Sequence, residues 1–155
     1  MSKPDALPLA VTHLVRDSCL CLHVQRAARA LARRFDAVLQ PLDLTHGQFS
    51  LLMSLNRPEP PSIGSVATLL AMDRTTLTAN LKPLERRRLL KIAVDPEDKR
   101  SRRLVLTGAG RTLLARALPI WTETHAEIEK GLTSCEPDDL RAALRGLSRD
   151  GRQTV

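Results

Sequence analysis

Between Ser62 and Thr107 the chain passes from two runs of helical spacing to two of alternating spacing, and that succession limits the available folds more than any other feature. Ser62 stands as an N-cap before IGSVATLLA (63–71), where Val66, Leu69 and Leu70 recur at helical spacing. After a break of two or three residues, Asp73 caps a second helical run, RTTLTANLKPLERRRLL. Two short helices joined so tightly predict a helix-turn-helix. The pattern then becomes alternating: Leu90, Ile92 and Val94 of LLKIAV (89–94) face one way, and RRLVLT (102–107) supplies a second short strand. The strands bracket DPEDKRSRR (95–103), three acids and a proline before four cations. A charge run of this kind is ordinarily a solvated surface, but at a hairpin tip beside a helix-turn-helix it reads as a wing.

A helical wheel divides the second of these helices. At 100° per residue, Leu77, Leu81 and Leu84 form a stripe, with Arg88 close to it. Thr75, Ala79, Lys82 and Arg86 lie opposite, with Thr78 at the shoulder. Hydroxyls, one small residue and two cations can hydrogen-bond base edges, admit close approach to a groove and neutralise phosphates. Arg74, near the helix start, can reach the base-edge acceptors of guanine. Pro83 removes the bond to the Ala79 carbonyl and predicts a slight bend.

The charge is placed where such a face needs it. Residues 73–103 hold ten of the 24 Lys and Arg but five of the 17 Asp and Glu, and so carry +5 of the net +7. A local positive field is what nucleic-acid binding requires. The 155 residues suit one domain. Aromatics are only 2% of the chain, so its core must be built from Leu, Ala, Val and Ile, which favours helices.

The flanking segments read as helices. One long helix is expected from Val11 to Gln40, bearing Leu14, Leu22, Leu31 and Leu39, and ended by Pro41. Thr45-His46-Gly47-Gln48 matches a capping box, opening a helix to about Leu55 that buries Phe49, Leu52 and Met53. NRPEPPS (56–62), with three prolines, is a loop. Thr107 caps a helix from Gly108 to about Gly131, with Leu113, Leu114, Leu118, Trp121 and Ile128, bent at Pro119. Pro137 opens a last helix with Leu140, Leu144 and Leu147, which frays into a polar tail from Arg149 on.

This order, with the words LTHGQFSLL, MDRTTLTANLKPLERRRLL and DPEDKRSRRLVLTGAGR, resembles the MarR family of bacterial transcription regulators over about residues 11–150. The resemblance implies a mainly α fold with a small β-hairpin: one domain over 1–155, with dimerisation helices at 11–40 and 108–150 around a winged helix-turn-helix at 45–107. It implies a homodimer on a palindromic DNA operator, most simply a repressor. On the same grounds Arg100 enters the minor groove, oriented by an ion pair with Asp98, while Arg102 and Arg103 lie on or near phosphates. Arg74, Thr75, Thr76, Thr78, Lys82 and Arg86 then carry major-groove recognition and its backbone contacts.

Members of that family respond to small aromatic or phenolic ligands or to cysteine oxidation. Cys21 is placed like the reactive cysteine of the organic hydroperoxide regulators, and Cys135 is a candidate resolving thiol; yet those regulators hold the thiol with tyrosines, and this chain has none. A low-pKa thiolate also needs a cation or helix N-terminus, for which Arg16 or a residue from another helix is the candidate. Trp121 and first-helix cations could line a carboxylate pocket, although Trp121 also reads as plain core. His13, His23, His46 and His125 have no paired ligand spacing, and no metal or cofactor is expected. No Gly-rich phosphate loop or GxSxG occurs, so no enzyme is indicated. No apolar run reaches the roughly 18 residues of a membrane span, and MSKPDALPLAVTH lacks the form of a signal peptide. A soluble, cytoplasmic protein is expected.

Overall fold

Leu77, Leu81 and Leu84, the stripe of the wheel, are each 0% exposed, and the winged half of the molecule is assembled around them. The computed structural model describes residues 7–149. Within them the order is α1 (Leu9–Ser18), α2 (Leu20–Leu39), a short 3-10 helix (Gln40–Leu42), α3 (His46–Ser54), α4 (Ile63–Leu69), α5 (Arg74–Arg86), β1 (Leu90–Val94), β2 (Arg102–Leu106), α6 (Gly108–Gly131) and α7 (Pro137–Arg149). The fold is mainly helical with one antiparallel hairpin, whose register pairs Leu90 with Leu106 and Val94 with Arg102. The flanks 1–6 and 150–155, within the expected single domain and polar tail, lie outside the described residues.

Local chemistry sets most of the boundaries. The Thr45–Gln48 capping box is formed in both directions, and Ser62, Asp73 and Thr107 each accept a backbone N–H three residues on. Each cap supplies a partner that the first helical turn lacks. α6 follows β2 so closely that a Cβ at Gly110 would meet the Leu89 carbonyl oxygen at 2.2 Å, so only glycine fits there. Both α5 and α6 run without a break through their prolines, Pro83 and Pro119.

The core collects Phe35 and Leu39 from α2, Phe49, Leu51 and Leu52 from α3, Val66 from α4, the leucines of α5, Leu90, Leu104 and Leu106 from the hairpin, and Leu113, Leu114 and Ala117 from α6. α1 and α7 contribute no buried residue. Their apolar side chains, among them Leu14, Leu140, Leu144 and Leu147, are exposed, as is Leu118 of α6.

Three expectations are corrected. The single helix over 11–40 is two helices, starting at Leu9 and divided at Cys19, whose ψ of 105 is extended. The Cys19 N–H closes α1 on the Val15 carbonyl, while its sulfur accepts from Leu22 N–H at 3.5 Å to open α2. Ser18 bends the same turn by donating to the Leu14 carbonyl at 2.5 Å. Second, α5 ends at Arg86 rather than continuing to Leu90. Arg88 takes a left-handed φ of 57 and leaves the leucine stripe. Third, Met53 of α3, expected to be buried with Phe49 and Leu52, is half-buried against the core rather than within it.

Candidate nucleic-acid interface

The turn between α4 and α5 fixes the angle at which α5 is presented. Ala71 adopts a left-handed φ of 52, and Met72 N–H returns to the Ala67 carbonyl at 2.9 Å. Asp73 then accepts from the N–H and the hydroxyl of Thr76 at 2.8 and 2.6 Å. The Thr76 hydroxyl and then its N–H hold the Asp73 carboxyl below the ordinary range, so a fixed negative charge sits on the positive helix end.

The outer face of α5 has the composition read from the wheel. Arg74, Thr75, Thr76, Thr78, Lys82 and Arg86 are all exposed, behind the buried leucines. The Thr78 hydroxyl donates to the Arg74 carbonyl at 2.8 Å and retains its acceptor capacity. Arg74 leans over the first turn of α4, where a Cβ at Gly64 would stand 2.8 Å from its Nη2.

The wing tip is a folded loop. Asp95 N–H donates to the Ser101 carbonyl at 3.1 Å, and Ser101 N–H to the Asp98 carbonyl at 2.9 Å. Asp98 accepts from the backbone N–H of Arg100 at 2.9 Å, and among the described residues it forms no ion pair with the Arg100 guanidinium. The expected orienting ion pair is therefore replaced by a backbone turn that leaves the Arg100 side chain exposed. Arg102 donates to the carbonyls of Lys99 and Ser101 and remains exposed. Arg103 is half-buried: its Nε meets Asp95 Oδ2 at 2.7 Å and its Nη1 donates to the Pro60 carbonyl at 3.1 Å.

Of the ten cations in 73–103, the chain itself engages two in ion pairs, Arg103 with Asp95 and Arg87 with Asp43, the latter loosely at 3.9 Å. The other eight have no ion-pair partner among the described residues. Uncompensated cations beside hydroxyls are suited to a polyanion with addressable edges.

The remaining predicted residues lie elsewhere. Cys21 is exposed near the start of α2, where Gln25 Nε2 donates to its sulfur at 3.2 Å, and Cys135 is exposed in the α6–α7 loop. The cation proposed for Cys21, Arg16, instead pairs with Asp17 at 2.6 Å.

A cavity of about 420 Å³ beside Trp121 is lined by Phe49, Ser50, Met53, Ser54, Arg57, Leu69 and Leu70. Its cation is Arg57 of the proline-rich loop, not a residue of the first helices. Arg57 lies in an aperiodic, proline-rich loop, so no spacing pattern marks it. Trp121 stacks on His125 at 4.6 Å, Phe49 at 6.1 Å and Phe35 at 6.3 Å.

Comparison with known proteins places this geometry. The MarR family model matches residues 44–101. The HTH-type transcriptional regulator TtmR of Methylorubrum extorquens (strain PA1) is 33% identical over 132 residues; the match covers 85% of this chain, which spans 65% of that relative's length. The transcriptional regulator HosA of Escherichia coli O111:H- is 38% identical over 107 residues, 68% of this chain and 78% of HosA. The crystal structure of the M. tuberculosis transcriptional regulator MosR in complex with DNA is similar, with a TM-score of 0.78 at 30% identity, covering 86% of this chain and 96% of that one.

Proposed function

The chain belongs to the MarR family of winged-helix transcriptional regulators, and from that premise we propose that it is a homodimeric, sequence-specific DNA-binding repressor, released from a palindromic operator by a small-molecule ligand. The observation that carries this is the combination on α5 and the wing of exposed hydroxyls and exposed cations without an ion-pair partner among the described residues. Arg74, Thr75, Thr78, Lys82 and Arg86 read the major groove and its phosphates, Thr76 and Asp98 shape the elements that present them, and Arg100 enters the minor groove. Arg102 meets the sugar-phosphate backbone. A dimer seated over a promoter excludes polymerase, and the activity is binding, not catalysis. The protein acts in the cytoplasm, where the DNA is.

The second copy covers the apolar side chains left exposed on α1, α6 and α7, including Leu14, Leu118, Leu140 and Leu144. The ligand is a small aromatic or phenolic acid in the cavity beside Trp121, with the ring on Trp121 and Phe49 and the carboxylate on Arg57. Because Leu69 at the end of α4 and its C-cap Leu70 line the cavity, filling it bears on the helix that carries the turn into α5.

The test is selection of duplexes from a random-sequence pool by the full chain, followed by footprinting. The expected result is an enriched palindrome with two protected half-sites about one helical turn apart. Failure to enrich or protect any sequence overturns the proposal.

A further inference from the structure

Resting on the DNA-binding reading above, we infer that Arg103 is a positioning residue, not a phosphate contact: with Asp95 it clips the wing to the loop that leads into the helix-turn-helix. A two-stranded hairpin has little stability alone, so its direction depends on what it is tied to. Here its tip end is tied by one buried carboxylate. Asp95 is 5% exposed, and both of its oxygens are engaged. Oδ1 accepts from Glu97 N–H at 3.0 Å and closes the first turn of the wing tip; Oδ2 takes Arg103 Nε at 2.7 Å.

The second arm of the same guanidinium crosses to a distant segment. Arg103 Nη1 donates to the Pro60 carbonyl at 3.1 Å, and Leu104 N–H donates to the Pro61 carbonyl at 2.9 Å. Ser62, the N-cap of α4, forms a β-bridge with Arg103. One Asp–Arg pair therefore joins the wing tip, β2 and the entry to α4. It sets where Arg100 stands relative to α5. Planar recognition of two acceptors by one fork is a property of arginine that lysine does not share.

The sign of one substitution separates this role from a phosphate contact. If Arg103 met phosphate, Asp95→Asn would free it and remove a negative charge, and DNA would bind more tightly. If Asp95 and Arg103 position the wing, the same substitution weakens binding. The probe is the duplex that the parent protein selects from a random pool, with affinity measured at fixed salt for Asp95→Asn and Arg103→Lys. Both variants are expected to bind at least tenfold more weakly. Minor-groove protection by the wing should be lost in hydroxyl-radical footprints, while methylation protection of guanines facing α5 is retained. A generally damaged fold would lose both protections together, and thermal melting monitors that directly. Should Asp95→Asn not fold, Arg103→Lys decides alone, because it keeps the charge and removes only the fork. Unchanged or tighter binding by Asp95→Asn, or parental affinity in Arg103→Lys, overturns the inference. Failure of the parent to select any DNA is a separate result and overturns the DNA-binding reading itself.

Discussion

Arg100→Ala isolates the contribution of the wing tip, because the side chain can be removed without disturbing the loop. The turn is held by the Arg100 backbone N–H on Asp98 at 2.9 Å and by Ser101 N–H on the Asp98 carbonyl, and both survive the substitution. The Arg100 guanidinium has no ion-pair partner among the described residues and is exposed, so its loss leaves no buried group unpaired. Stability should therefore stay within about 0.5 kcal/mol of the parent. DNA affinity should not. Each cation that displaces condensed counterions adds ~0.9 to the steepness of log K against log salt, so two copies of Arg100 account for ~1.8. Raising salt from about 50 to about 200 mM should accordingly narrow the gap between parent and variant ~12-fold. Fluorescence anisotropy across that salt range, on the selected operator and on an unrelated duplex, measures both slopes. A narrow minor groove is read as shape rather than as bases, so the variant should lose affinity for both duplexes. Parallel salt lines for parent and variant would refute the placement of Arg100 against DNA.

Leu144→Arg puts a charge on an exposed apolar face of α7 and should give a protein that sediments as a single chain while keeping its helical signal; an unchanged dimer places the interface elsewhere. Thr107→Ala removes the acceptor for Gly110 N–H at 3.0 Å and the donor to the Leu89 carbonyl at 2.9 Å. The loss should cost about 1–2 kcal/mol and lower the melting midpoint by roughly 2–8 °C, and an unchanged melting curve contradicts it. Burial holds the pKa of His46 below the ordinary histidine value, with Asp36 opposing. The unfolded chain thus binds the proton first on acidification, and this contribution to stability is present above about pH 6.5 and lost as pH falls through the lowered folded value. Denaturant titrations from pH 7 to pH 5 should fall less steeply for His46→Gln than for the parent; equal slopes refute the assignment.

What could be read in the sequence is what short-range chemistry decides. The caps at Thr45, Ser62, Asp73 and Thr107 each act over three residues. The stripe Leu77, Leu81 and Leu84 follows from helical spacing, and both strands lie within a residue of their expected ends. What was not legible depends on distant partners or on their absence. The bond of Arg103 to the Pro60 carbonyl spans 43 residues, and that of Arg87 to the Asp43 carbonyl 44. The division at Cys19 was missed because Asp17-Ser18-Cys19 is only a weak local signal and α1 buries nothing that would hold it in line with α2.

The same reasoning gives meaning to the scarcity of aromatic residues. The chain has two Phe and one Trp, and all three meet in one stack where α2, α3 and α6 converge: Phe35 and Phe49 each lie about 6 Å from Trp121. His46 and His125 extend the stack, at 5.0 Å from Phe35 and 4.6 Å from Trp121. Elsewhere the core is aliphatic, with Leu39, Leu52, Leu77, Leu81, Leu84 and Leu104 all fully buried. Two of these rings, Phe49 and Trp121, line the cavity, together with Leu69, the last residue of the seven-residue α4, and Leu70, its C-cap. The turn at Ala71 and Met72 joins α4 to α5, and Asp73 caps α5 directly beyond it. On the proposed function, a ligand resting on Phe49 and Trp121 would therefore lie against the end of α4, three residues before the N-cap of α5.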